Sequence, residues 1–550
     1  MPFGILEDRH MEHVPGTAVM HDQTDMPEEL KGVPSERLKH GSGRFAHIVL
    51  IPQPTDDPND PLNWPTWRKD FILFIVGLSA AVVGAYGPML GPGFVPIAAE
   101  LGITINTISE ATAWLLLTLG AIVFLINPLA KKFGKRPVYI FAICILFAAN
   151  VWGALVKDYP SFLASRIVGA IGMAPYEVLV QATISDIYFV HQRATRIAVW
   201  NLFLMCGIAG ASFISGYIIE DLGYQWTFGV CAIFFGIFMF AIFFFVPETS
   251  YRRPDAATVI AQNQANAARE KLGSEGANAG VEKSETYQVE TAAVEPPPKT
   301  SYWRSLRIFT GSYTNAPLLR IMTRPFVMFL YPAVLWAFLI YGTTITWIVV
   351  FSVVNGVLFV APPYNFTVGE AGLTGLSPFV LTIIAEVVSG PLNDWICVKL
   401  TERNRGVYEP EFRLVLMVVV VILGVVGFYG FGATVDAQTH WSGPVLTYGI
   451  ANMALGFSGP SVFGYVIDSY PNLAEESFVA INARNFLTFG LTYFVNDWLA
   501  KQGALEVFSI LGSCFLGVCL LTIPLWIFGK RIRSFIARRE FLNNYMSDLD

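Results

Sequence analysis

Long apolar runs and short polar breaks alternate along most of the chain. Runs such as FILFIVGLSAAVVGAYGPML, from Phe71, and FSILGSCFLGVCLLTIPLWIFG, from Phe508, hold about 20 residues, enough to cross a hydrocarbon core as a helix. Backbone groups in lipid must be satisfied within their own segment, so each run is predicted to be helical. Twelve runs are counted. Six begin near Phe71, Glu110, Pro137, Pro160, Ile197 and Trp226, and six near Pro325, Glu370, Arg413, Gly443, Val479 and Ala504. The pattern predicts an all-α membrane protein with twelve transmembrane helices in two pseudo-symmetric six-helix halves. It divides into an N-terminal segment (1–69), a first half (70–247), a central linker (248–324), a second half (325–529) and a C-terminal tail (530–550). The linker core from Asn263 to Thr300 is rich in Ala, Glu, Gly and Pro, a composition that cannot bury a core, and it is expected to be disordered.

Composition sharpens this picture. The 550 residues are 54% hydrophobic and 14% charged, whereas a soluble domain needs closer to a quarter charged residues for its surface. The net charge of −6 comes with no basic stripe, so nucleic acid is not an expected partner. The six cysteines form no Cys-x-x-Cys or Cys/His cluster and read as packing residues, with no metal and no cofactor expected. All seven histidines lie outside the spans, and neither His-Glu-x-x-His nor Gly-x-Ser-x-Gly appears, which argues against a membrane enzyme. No signal peptide is visible, so the first span is expected to act as its own insertion signal.

Lys and Arg in the short loops set the orientation. Lys131, Lys132, Lys135 and Arg136 follow span 2, Arg193 and Arg196 follow span 4, and Lys399, Arg403 and Arg405 follow span 8; Lys530, Arg531, Arg533, Arg538 and Arg539 follow span 12. Only Lys157 and Lys501 lie on the other side. Both termini and the linker are therefore expected in the cytoplasm, with the plasma membrane as the expected location. The loops also carry a repeat: Pro128-Leu129 after span 2 corresponds to Pro391-Leu392 after span 8, the mark of an internal duplication. In such folds substrate sits near midplane between the halves.

Ordered along the chain are NDPLNWPTWRK before span 1, FGKRP after span 2, FVHQRATR after span 4 and PETS after span 6. GPLNDW and RNRGVYEPEFRL follow around the span 8–9 loop, and GKRIR after span 12. With these fragments the chain resembles the major facilitator superfamily, specifically its fungal twelve-span drug:proton antiporters, over about residues 47–540. The resemblance implies a secondary active transporter working by alternating access, with proton-driven efflux of a drug, toxin or metabolite, as in multidrug resistance. Two positions depart from the family pattern. Lys131 stands where the span 2–3 loop usually carries Asp, while the repeat position keeps Asp394; and the span-5 antiporter motif reads GIAGASFISG, with Ser212 where Pro is expected. Proton-coupled uptake of an organic cation such as a polyamine, or a non-transporting nutrient sensor, are the alternatives.

Charges inside spans mark function by default, since each costs roughly 2.5–3.5 kcal/mol at a helix centre. Span 4 carries Arg166 and Glu177, eleven residues apart, a rise of about 16 Å on nearly one face, with Ala170, Ala174 and Gln181 beside them. Arg166 also matches the Arg of the family's span-4 motif. Glu177, near midplane, is expected to couple protons, with Arg166 pulling on its charge from a distance; a permanently paired structural carboxylate is the rival reading. Glu386, Asp394 and Asp468, together with Lys131 and Arg136, are read as gate and loop anchors. Candidate cavity residues are Tyr86, Gln181, Tyr341, Thr344, Trp347 and Asn452, with Asn485, Thr488 and Thr492 on one stripe of span 11. Half of these polar residues are as readily explained by bonds between helices. Asn365-Phe366-Thr367 is a glycosylation sequon close to the membrane. The expected partners are a small-molecule substrate, protons and the lipid bilayer, and the chain is read as a monomer.

Overall fold

The computed structural model describes residues 4–8, 10–11, 14–19, 38–40, 50–252, 258–260, 262–263 and 298–547. Most of the linker core lies outside these residues. In the first half the spans are Thr66–Tyr86, Ile105–Phe133, Lys135–Ala154, Tyr159–Ile187, Val190–Leu222 and Gln225–Phe245. In the second half spans 7 to 10 are Pro332–Leu358, Leu376–Arg403, Met417–Asp436 and Ser442–Ser469. The last long helix, Arg484–Leu520, is broken at Gly503, whose φ of 78° lies in the left-handed region that glycine adopts without a Cβ clash. Residues 484–502 and 504–520 are thus spans 11 and 12.

The duplication read from the loops reappears in packing. Span 1 packs on span 5 as span 7 does on span 11, and span 2 on span 4 as span 8 does on span 10. Span 3 contacts spans 4 and 6, and span 9 contacts spans 10 and 12. Lipid supplies no hydrophobic drive between helices, so close approach of small residues does this work. Gly207 of span 5 lies against the Ala81 backbone of span 1, where a Cβ would overlap the Ala81 carbonyl. The halves meet along spans 2 and 11 and along spans 5 and 8.

Span 5 starts at Val190 rather than near Ile197 and span 8 at Leu376 rather than near Glu370, and one further start differs for a visible reason. Span 7 starts at Pro332 rather than near Pro325, because residues Leu318–Val327 form a separate amphipathic helix carrying Arg320 and Arg324. The buried Arg324 guanidinium donates to the Tyr545 carbonyl (3.1 Å), so this helix belongs to the polar surface and not to the membrane core.

The described parts of the N-terminal segment, the linker and the C-terminal tail meet on one face, here called the linker face, through Glu7–Lys530, Asn59–Pro298 and Arg320–Tyr545 contacts. On it the N-terminal segment is a strap across the second half. Ala18–Val19 pairs antiparallel with Val407–Tyr408. Glu7 meets Lys530 (2.8 Å), Thr17 donates to Glu409 (2.7 Å), and Arg533 donates to Glu409 (2.9 Å) and Glu411 (2.8 Å). Tyr408, in the loop after span 8, has its hydroxyl held protonated, with its pKa pushed up by burial and the Asp468 carboxylate.

Candidate functional site

Glu177 projects from span 4 two residues after Pro175, which lacks the N–H for its helical bond. Its carboxylate crosses to the second half. Arg484 Nη2 of span 11 lies 3.5 Å from Oε1, and Asn485 Nδ2 donates to Oε2 at 3.3 Å. Arg484 also donates to Asn485 Oδ1 (3.1 Å) and lies 5.5 Å above the Tyr341 ring of span 7, whose far side packs edge-on against Phe463. Spans 4, 7 and 11 therefore converge on one ion pair, and the pair joins the halves.

On the same three spans, Gln181 Oε1, Trp347 Nε1, Thr492 Oγ1 and Arg484 Nε are buried polar atoms without a protein partner. A buried polar atom left unpaired costs about 1–3 kcal/mol, so each of these is an open donor or acceptor for a polar solute. Other candidates are turned to the fold. Thr344 bonds back to the Ile340 carbonyl (2.7 Å) and Asn452 to the Tyr448 carbonyl (3.0 Å), each within its own helix. Thr488 shares a hydrogen bond with Thr346 of span 7 (2.8 Å).

Arg166 does not meet Glu177. Its guanidinium donates to the carbonyls of Tyr86 (2.7 Å) and Gly87 (2.8 Å) at the end of span 1, with the Tyr86 ring 4.7 Å below it. Tyr86 is thus fully buried beside Arg166, with its hydroxyl reaching the Ser165 carbonyl. The counterion of Glu177 is Arg484, which the sequence reading passed over. The signal was there: an arginine next to Asn485, at the head of the polar stripe.

The five gate candidates separate into four places. Lys131 crosses to the second half, to Glu476 (2.7 Å) and Glu475 (3.4 Å), with Arg324 a further 3.9 Å from Glu476. Asp394 and Asp468 both face Arg413 at the start of span 9, Asp394 at 3.6 Å and Asp468 in close contact. Arg136 donates to carbonyls of Phe243, Val246 and Leu306, tying span 3 to the end of span 6. Glu386 stands apart from all of these and accepts from Asn201 Nδ2 of span 5 (2.9 Å). The repeat shows again here, since Lys135–Asp186 (2.6 Å) joins spans 3 and 4 as Arg413–Asp468 joins spans 9 and 10.

On the opposite face, Asn106 meets Asp497 and Asn496 donates to Ser109 (2.6 Å), closing spans 2 and 11. The Gly91 turn after span 1 lies on Gly356 of span 7, and Gly216 of span 5 on Gly372; a Cβ on Gly356 would overlap the Gly91 carbonyl. Behind this seam is a cavity of about 10 Å³, lined by Ser352, Asn355 and Tyr448 among others. Asn365 lies exposed in the loop of this same face.

The profile of the Major Facilitator Superfamily matches residues 71–495. The chain is similar to the uncharacterized MFS-type transporter C1271.10c of Schizosaccharomyces pombe, with 27% identity over 98% of this chain and 96% of that one. Protein HOL1 of Saccharomyces cerevisiae is 25% identical over 96% of this chain and 97% of its own length. Among solved structures the proton:xylose symporter XylE bound to 6-bromo-6-deoxy-D-glucose overlays with a TM-score of 0.56 at 13% identity, covering 84% of this chain and 96% of that one; this likeness concerns the fold. With twelve spans, a duplicated half and a match across most of its length, the chain belongs to the Major Facilitator Superfamily and is a secondary transporter.

Proposed function

We propose that this transporter uses a proton gradient to expel a small organic compound, with Glu177 as a coupling acid and the linker face in the cytoplasm of a cell whose plasma membrane holds the protein. The observation that carries the reading is the Glu177–Arg484 pair: one carboxylate and one guanidinium, from opposite halves, at the only 3.5 Å contact between charges near midplane among the described residues. At that distance the pair is an attraction rather than a tight bidentate bond, and it can be exchanged. A proton on Glu177 removes the attraction and frees Arg484, and the halves lose a central tie. The unpaired polar atoms of Gln181, Trp347 and Thr492 then offer donors and acceptors to a solute. The outward direction rests on the family resemblance of the loop motifs. Arg166, fixed on span 1 carbonyls, serves this site by holding span 4 in place rather than by touching the acid.

The test is transport by purified protein in vesicles under an imposed pH gradient, with ethidium, rhodamine 6G and spermidine as probes. Wild type is expected to move at least one probe against its gradient, in exchange for protons, and Glu177→Gln to lose that pumping. Accumulation running with the proton flux instead of against it assigns the protein to uptake of an organic cation, for which an acid at the centre is equally suited. Pumping unchanged in Glu177→Gln makes the pair structural.

A further inference from the structure

Glu386 is the charged group in the spans whose surroundings the mechanism above leaves unexplained. It lies in span 8, on the seam where span 8 meets span 5 of the other half. Its one hydrogen bond in the structure is from the Asn201 amide, 2.9 Å away, and no Lys, Arg or His lies within ion-pair distance among the described residues. The groups packed around it confirm the lack of a countercharge. Span 5 presents Asn201 and Cys206. Span 7 presents Tyr341, which is within electrostatic reach of Glu386, of Glu177 and of Arg484, but whose ring already carries Arg484 on its face. Span 10 presents Gly456, packed on Ala385 and the Glu386 backbone. Arg413 is the next cation towards the linker face, and it is held by Asp394 and Asp468 two turns further along. Glu177 has Arg484, and Glu475 and Glu476 have Lys131; Asp497 and Glu220, at the opposite face, are answered by Asn106 and by Thr367 and Gly369 without a cation.

A carboxylate inside a span, only part exposed and with no cation beside it, carries an unbalanced charge unless it holds a proton or meets water. A proton is the ligand that fits at this contact without a cavity of its own. The partner is also of a suitable kind. An amide N–H donates to a carboxyl oxygen in both the acid and the ionised form, more strongly in the ionised one, and it sits on the half that moves relative to Glu386. We infer that Glu386 is a second proton-carrying residue: it holds a proton while spans 5 and 8 are closed, and releases it to water when the halves part at that seam. The inference rests on the proton-driven reading above and assigns part of the coupling to a residue on the other half. The step is a plain proton transfer, O–H of the carboxyl to water, with the carboxylate left solvated by the opened seam.

The test is a pH-difference infrared spectrum of the full-length protein in phosphatidylcholine bilayers, which reads the carbonyl stretch of protonated carboxyls without needing a substrate. Wild type is expected to show a carboxyl band that titrates, Glu386→Gln to lack one such band, and Glu386→Asp to keep it at a shifted position. Glu386→Gln retains the acceptor for Asn201, so monodisperse protein is expected, and Asn201→Ala, which leaves the acid in place, should move the band without removing it. In pH-gradient vesicles one pH unit supports about a tenfold solute ratio for one-proton exchange. Glu386→Gln should fall short of the wild-type ratio while solute exchange without a gradient continues. A full set of titrating bands in Glu386→Gln, or an unchanged solute ratio, overturns the inference. Loss of gradient-free exchange in both Glu386→Gln and Glu386→Asp also overturns it, by making the residue structural. A wild type that does not respond to the pH gradient at all, with the Glu386 band present, counts against the proton-driven reading and leaves the protonation of Glu386 established.

Discussion

The two faces of the transporter close the gap between its halves by different chemistry. The linker face is held by charge: Lys131 reaches across to Glu475 and Glu476, and Arg324 approaches the same Glu476. The opposite face is held mainly by shape, with Gly91 on Gly356 and Gly216 on Gly372 at distances only glycines permit, supported by the Asn496–Ser109 hydrogen bond. Ion pairs act over several ångströms and weaken gradually, while a backbone seam is either seated or open. The faces are thus built to respond to different inputs: the linker face to charge in the half-to-half space, the opposite face to packing. The comparison also explains Lys131. At the repeat position of the second half, Asp394 pairs with Arg413 inside its own half. In the first half that local role passes to Lys135 and Asp186, and position 131, with its sign inverted, is free to bind the other half.

The largest effect is expected where shape decides. Gly356→Ala places a methyl on the Gly91 carbonyl, a clash with backbone that no side-chain movement relieves. The opposite face should then stay open and transport should be lost. A cysteine introduced by Ser352→Cys, behind the seam, should be labelled by a membrane-impermeant maleimide in the Gly356→Ala background and protected without it. Equal protection in both would show that the seam is not the closure.

Next is the charge latch. Glu476 is nearly inaccessible and Lys131 mostly so, and breaking a buried pair costs roughly 3–5 kcal/mol, less where water reaches it. Lys131→Glu should therefore open the linker face and cut transport severely, with the protein still folded in the membrane. Glu476→Lys in the same chain restores an attraction and should recover a large part of the activity. If the double variant is as poor as the single one, the latch is not electrostatic.

The smallest effects belong to pairs inside one half. Asp394 is largely exposed, 74%, and its contact with Arg413 is long, so Asp394→Asn should lower thermal stability by no more than about 1 kcal/mol. Asp468→Asn should cost more, because Asp468 is better shielded, holds the same Arg413 closely and also accepts from Tyr408. Neither variant should change labelling at either face. A change in labelling from Asp394→Asn would move this cluster into the gate.

Much of this was legible in the chain. Hydropathy located twelve spans, with starts furthest off at spans 5, 7 and 8; at span 7 an amphipathic helix with Arg320 and Arg324 precedes the apolar run and a hydropathy reading merges the two. The paired Pro-Leu motifs announced the duplication that the packing of spans 1 to 6 and 7 to 12 repeats. Glu177 and Glu386 stood out because acids are costly in apolar runs.

What each charge does was decided only by the tertiary structure. The residue that answers Glu177 lies 307 positions away, and the one that answers Lys131 lies 345 away, both on helices of the other half. Helical periodicity relates residues three or four apart on a single face, and carries no information about which face of a distant helix arrives opposite. For that reason Arg166, on the same face of span 4 as Glu177, is the cation that the sequence sets near it, acting from a distance. The folded chain instead gives Arg166 to two carbonyls of span 1 and brings Arg484 to the acid. The same limit applies to Glu386. Its position in an apolar run could be read from the sequence, whereas its lack of a cation is a property of every helix around it, and exists only once spans 5, 7, 8 and 10 have packed.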